Sequence, residues 1–373
     1  MVPKNSPENT NVSVSKDRKI VSSRSIEKQK NLDENEDKHL ASEALQYKEE
    51  IELFISQLDH TIHNASTQTN MTLAKEINQR CHKQLKNIDL SRGYRTKISL
   101  NILYSACQIN LLIVRCLVYE SYSSLRQASF LPSSLQGSSP FIKTGAQATS
   151  MLTHFILHCE HIVNQVYIGK TITEKEARQS ELFICNFSKE LLADLGAWIE
   201  LYTRACFEHL HPSPPKKPGP FKTLLKKFNP IMEMYTPLPK QFVEFHALLS
   251  KRAQSETIKE EKVTYPMLLA QLSRNEQISK DTGEVWKFLL HFRNTMVTKA
   301  GLGTTNAQLD LGPHQFLIKQ DKPIQINLSG FSVLPSIFCD CFFEFICNGF
   351  MEEKERERGF IALENFKKLS SIQ

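Results

Sequence analysis

The nine residues Leu111-Leu-Ile-Val-Arg-Cys-Leu-Val-Tyr119 leave this chain few folds to choose from. They lie in a stretch with helical spacing, from about Arg92 to Arg126, and are apolar nearly all round. A helix of that kind must be enclosed, either by other helices or by lipid. Arg115 sits in its middle, with Gln108 and Asn110 in the two turns before it. A charge at the centre of a spanning helix costs about 2.5–3.5 kcal/mol even on the lenient insertion scale. Phe331–Phe350 is as apolar but carries Pro335, Asp340 and Glu344. Both segments read as core helices of a bundle, and no transmembrane segment is expected.

The remaining punctuation divides the chain. Residues 1–37 are polar and charged, with too little apolar surface to offset chain entropy, and read as a disordered arm. Helical periodicity begins near Lys38, with Leu40, Leu45, Ile51, Phe54, Ile55 and Leu58 largely on one side. A second helix is expected over about Met71–Ile88 and another over about Thr144–Ile168. Thr173, followed by Glu174 and Glu176, is a helix start with acidic residues suited to the macrodipole. That helix should run to about His211, where His211-Pro-Ser-Pro-Pro-Lys-Lys-Pro-Gly-Pro220 breaks it. The reading is a mainly α protein with four parts: the arm, a helical bundle over 38–211, a proline-rich linker over 212–220, and a second helical unit over 221–373. Within the last, Gln315–Lys319 and Pro323–Leu328 suggest a small β-hairpin, with a helix of about Glu284–Lys299 before it.

Composition narrows the function. Thirteen glycines in 373 residues argue against a glycine-rich nucleotide-binding fold. No phosphate loop, GxGxxG, HExxH or GxSxG pattern occurs, so the common nucleotide-dependent and hydrolase chemistries have no support and no cofactor is expected. Nine scattered cysteines without paired CxxC spacing read as reduced, mostly buried thiols. No apolar signal core follows MVPKNSPENTNVSVSKDRK, so an intracellular, cytoplasmic protein is expected.

One stretch carries a family likeness. In LHFRNTMVTKAG, Leu290 to Gly301, Arg293-Asn294 is followed by Val297, a glycine, a hairpin and a final helix. This resembles the HEPN family of small helical bundles, many of which are RNA-cleaving dimers. The resemblance implies that Arg293 and Asn294 stand where that family acts on the RNA 2′-hydroxyl and phosphate. It also puts Thr298 where the family has its histidine. A threonine cannot shuttle protons near neutral pH as imidazole can. His291, two positions from Arg293, should point to nearly the opposite side of the helix, which leaves a distant histidine such as His314 to serve an enzyme. The alternative is an ordinary amphipathic helix with a polar edge.

Three further constellations could carry function. His154, His158 and His161 form a stripe at i, i+4 and i+7, and with a ligand from another helix could hold zinc. The bland reading is a boundary stripe bonded to neighbours. Asp340 and Glu344 are an i, i+4 carboxylate pair in the most apolar helix, suited either to acid–base work or to pairing with a cation. Lys216, Lys217, Lys222, Lys226 and Lys227, interleaved with Phe221 and Phe228, suit an anionic surface or a phosphate-bearing partner. Otherwise they belong to a solvated linker whose aromatics anchor on the bundle. The sequence favours a non-enzymatic helical binding protein with a HEPN-like unit that has lost its histidine, its partner a protein or, second, RNA. The alternatives are a HEPN-type RNA-cleaving enzyme and a peripheral protein acting at anionic membranes through Lys216–Lys227.

Overall fold

A computed structural model describes the backbone of residues 18–370, apart from 124, 165–172, 213–219, 235–238, 256–263, 299–301, 304–305, 312–313 and 325–327, and most side chains from Ala41 onward. The described residues form eleven α-helices and one two-stranded sheet. The helices are α1 (Arg18–Ala65), α2 (Thr72–Asn87), α3 (Tyr94–Ser123), α4 (Pro140–Asn164), α5 (Glu174–Leu210) and α6 (Pro220–Met234). After these come α7 (Lys240–Ser255), α8 (Tyr265–Arg274), α9 (Lys280–Thr298), α10 (Leu328–Phe350) and α11 (Glu353–Ser370).

Helix α1 is drawn from Arg18, ahead of the periodicity that begins near Lys38. Residues 18–37 contain no proline or glycine and hold several lysines, arginines and glutamates, which favour helix without needing a core. Residues 1–17 of the expected arm lie outside the described residues. Helix α5 starts as its sequence predicts. Thr173 accepts from the Glu176 backbone N–H, and the Glu176 carboxylate accepts from the Thr173 N–H at 2.7 Å, a reciprocal capping box.

Helix α3 is the axle. It packs against α1, α2, α4, α5, α10 and α11, and nearly every residue from Ile98 to Tyr119 is buried. Polar side chains inside the core tie helices together: Asn110 Nδ2 donates to the Ala74 carbonyl at 2.9 Å, and Asn78 Nδ2 to that of Ile55 at 3.0 Å. Helix α10 lies against α3, α5 and α9, so one buried core runs through residues on both sides of the 212–220 segment. By length and composition α3 and α10 are each apolar enough to cross a membrane, and in each 94% of the apolar window is buried within this fold.

The sheet pairs β1 (Ala307–Leu311) with β2 (His314–Ile318), antiparallel, with Leu311 opposite His314 and Ala307 opposite Ile318. The expected first strand is therefore the second of the pair, and its partner precedes it. Pro323–Leu328 does not supply the partner strand: Pro323 makes only an isolated bridge to Leu302, and α10 already begins at Leu328. Alternation explains the choice. Phe316 and Ile318 are buried, while Ala307 and Leu309 pack on the core from the neighbouring strand.

Candidate functional site

Arg293 lines an open groove of about 700 Å³ bounded by α5, α8, α9 and β1. Its walls include Tyr265, Leu269, Phe288 and Leu309, and its polar rim includes Glu200, Arg204, His291 and Asn294. Two features hold Arg293 in place. The side-chain stem lies across Gly196 of α5, where a Cβ would stand 2.5 Å from Arg293 Cδ and 2.8 Å from Nη1. Its Nε donates to Asn294 Oδ1 at 2.9 Å, and Nη2 donates to the same oxygen. Burial lowers the Arg293 pKa from its ordinary value, opposed by the Glu200 carboxylate and Tyr265. Arginine nonetheless remains a cation at any physiological pH. Beside it, Arg204 Nη2 pairs with Glu200 at 2.9 Å and its guanidinium lies 5.4 Å over the Tyr265 ring.

His291 lines the same groove as Arg293, although two residues along a helix point to nearly opposite sides. The groove's lining takes residues from several sides of α9, and Arg293 reaches it from across Gly196 of α5. The side chains of Thr298 and His314 lie outside the described residues; the backbone places Thr298 at the end of α9 and His314 at the start of β2.

The other constellations resolve into packing. His154 stacks on Phe187 with centroids 5.4 Å apart, and His158 meets Phe183 at 5.2 Å. Burial lowers the His158 pKa, and His161 and His154 lower it further. Among the described residues no group of three or more His, Cys, Asp or Glu side chains is arranged to hold a metal ion. The carboxylates at 340 and 344 face different partners. Asp340 pairs with Arg115 at 2.5 Å and accepts from the Tyr119 hydroxyl at 2.6 Å. Glu344 accepts from the Ser279 backbone N–H at 2.8 Å and from the Thr282 hydroxyl, closing the N-terminus of α9. Glu344 thus anchors the helix that carries Arg293.

Comparison of the chain with known protein families, curated proteins and solved structures finds no match. The groove must therefore be read from its own chemistry. It combines apolar walls with a fixed guanidinium, a second arginine already paired, and one imidazole.

The basic segment is divided. Lys216 and Lys217 lie outside the described residues, whereas Lys222, Lys226 and Lys227 are exposed on α6. The aromatics of α6 meet α7: Phe228 lies 5.4 Å from Phe245, and Phe221 lies 5.5 Å beneath the Arg252 guanidinium. The sequence missed α7 as their partner. The signal was present in Phe242, Phe245 and Leu249, spaced to share one helix side.

Proposed function

We propose that this chain is a non-enzymatic helical binding protein whose binding edge is the groove lined by Arg293. The observation that carries this reading is the fixed Arg293, laid over Gly196 and fastened to Asn294 beside apolar walls. An apolar pocket with a few oriented polar groups is what recognition needs. At the position where the HEPN likeness would put its proton-transfer group stands Thr298, which cannot take that role near neutral pH. The favoured partner is a protein that places a carboxylate against Arg293 and an apolar side chain against Phe288 and Leu309.

A second reading, RNA cleavage of the HEPN type, draws support from one observation: His291 lines the groove with Arg293. One experiment separates the two. Purified protein and Arg293→Ala are incubated with mixed RNA, and a photo-crosslinking residue is placed at 288 in otherwise wild-type protein and in Arg293→Glu. The binding reading expects no cleavage and a discrete crosslinked protein that disappears in Arg293→Glu. Cleavage by the wild type that is lost in Arg293→Ala and in His291→Ala would replace it with the nuclease.

A further inference from the structure

Helices α6 and α7 form a hairpin that packs on itself. Leu249 and Ala253 are buried, His246 Nε2 lies 3.0 Å from Asn229 Oδ1, and Phe228 meets Phe245, all within the pair. Among the described residues, none of the hairpin's apolar side chains joins the main core, and neither helix packs extensively on any other. Helices of 15 and 16 residues cannot cover each other's apolar faces. Leu224, Phe242, Val243, Phe245 and Leu248 are left 43% to 51% exposed. Five large apolar groups on so small an element mark a contact surface rather than scattered surface apolars.

Charge identifies what the surface meets. The two helices hold six basic residues (Lys222, Lys226, Lys227, Lys240, Lys251 and Arg252) against two acidic ones (Glu233 and Glu244), a net +4. The whole chain carries only +6. Most of the excess positive charge is therefore concentrated on an element that also exposes phenylalanine and leucine. On α6 the lysines at 222, 226 and 227 flank a stripe whose Phe221 and Phe228 lie against α7 and whose Leu224 stays exposed beside the lysines. Exposed apolar groups beside clustered lysines are the combination that an anionic lipid interface takes up.

We infer that α6–α7 docks on the surface of an anionic bilayer, with its phenylalanines and leucines entering the interface and its lysine heads at the lipid phosphates. This is independent of the groove at Arg293, about which it makes no claim. The test uses the full chain and co-sedimentation with vesicles of phosphatidylcholine alone or mixed with phosphatidylserine. Binding is expected only to the anionic vesicles, falling as salt rises. The Lys222→Gln/Lys226→Gln/Lys227→Gln variant should bind on the order of 100-fold more weakly, from roughly a fivefold loss per lysine. Phe242→Ser/Leu248→Ser should also lose binding while its circular dichroism stays that of the wild type. Equal binding to both vesicle types, wild-type binding by the lysine variant, or no sedimentation with either would overturn the inference. Retention of single-stranded RNA without vesicle binding would also overturn it, assigning the lysines to nucleic acid.

Discussion

Arg115 and Asp340, 225 residues apart in sequence, meet at 2.5 Å in the centre of the fold, where Arg115 is wholly buried and Asp340 nearly so. The guanidinium also donates to the Phe366 carbonyl at 2.8 Å, and Tyr119 donates to the other Asp340 oxygen. One cluster thus joins α3, α10 and α11. The two partners differ when the other is removed. Arginine cannot lose its charge, so Asp340→Asn leaves an uncompensated buried cation and should cost about 3–5 kcal/mol. Asp340 has an escape. Burial already pushes its carboxyl above the ordinary value, and Arg115 is the main group holding it down. In Arg115→Met the folded pKa should rise further, above that of the unfolded chain. Stability then is full below the unfolded value and is lost as pH rises through the folded one. Urea denaturation should find Arg115→Met less damaged than Asp340→Asn, with its deficit shrinking on acidification toward about pH 4. A deficit that grows on acidification would contradict this.

Gly196 shapes the groove. Alanine there gains about 0.8–1 kcal/mol of helix propensity but places a Cβ against the flexible end of Arg293. The arginine can swing aside, so Gly196→Ala should leave stability within about 1 kcal/mol of the wild type while moving the guanidinium off Asn294. The Arg293 Nε–H resonance should lose its hydrogen-bonded shift although the melting temperature hardly changes. Partner crosslinking at 288 should fall with it. An unaltered Nε–H signal would mean that Gly196 does not set the arginine's position.

How much of this was legible beforehand depended on distance along the chain. The start of α5 could be read from Thr173 and Glu176 because a cap is local. Arg115 and Asp340 each announced themselves as a charge in an apolar run, but nothing in one sequence says that they are each other's partner. Glu344 was equally visible, yet its use at the N-terminus of α9 depends on how α10 crosses Ser279 and Thr282. The hairpin strands were half right, because alternation locates Gln315–Lys319 but not which neighbour pairs with it. Helix geometry alone points His291 away from Arg293, because it takes no account of a groove lined from several sides of α9. The α6 lysines are legible in the sequence, while the apolar surface beside them depends on the packing of α7 against α6.

His158 should give the fold a pH dependence of definite sign. Its pKa lies below the ordinary 6.5 because burial disfavours the imidazolium, with His161 and His154 adding to the effect. A depressed folded pKa means that the unfolded chain binds the proton more readily. The stability from this residue is therefore complete above the unfolded value and is lost as pH falls through the folded one. The melting temperature should decline below about pH 6.5, and His158→Phe, which keeps a ring beside Phe183, should flatten that decline. Imidazole titration by NMR gives the direct check: a His158 midpoint at or above 6.5 would remove the effect. Zinc retained in equimolar amount by untagged protein would show that the stripe does more than pack on Phe183 and Phe187.

The cysteines should be nearly silent in the native protein. All nine are free thiols, eight buried and Cys185 partly exposed. Cys116 and Cys339 face each other with sulfurs 4.0 Å apart, a thiol contact and not a bond. Because the thiolate is the reactive form, accessibility and pKa act together. Burial, with help from Glu181, pushes Cys185 up to about 11, while burial pushes Cys206 up to about 12. At neutral pH even the accessible thiol is thus almost wholly protonated. Iodoacetamide should label the native chain slowly at neutral pH and modify Cys185 first as pH is raised toward about 10, with nine equivalents reacting only in urea. Cys185→Ser should abolish that first phase without shifting the melting temperature by more than a few degrees. A rapidly labelled thiol at neutral pH in the Cys185→Ser protein would mean that one of the buried sulfurs is open to solvent, and that the core around α3 breathes far more than its packing implies.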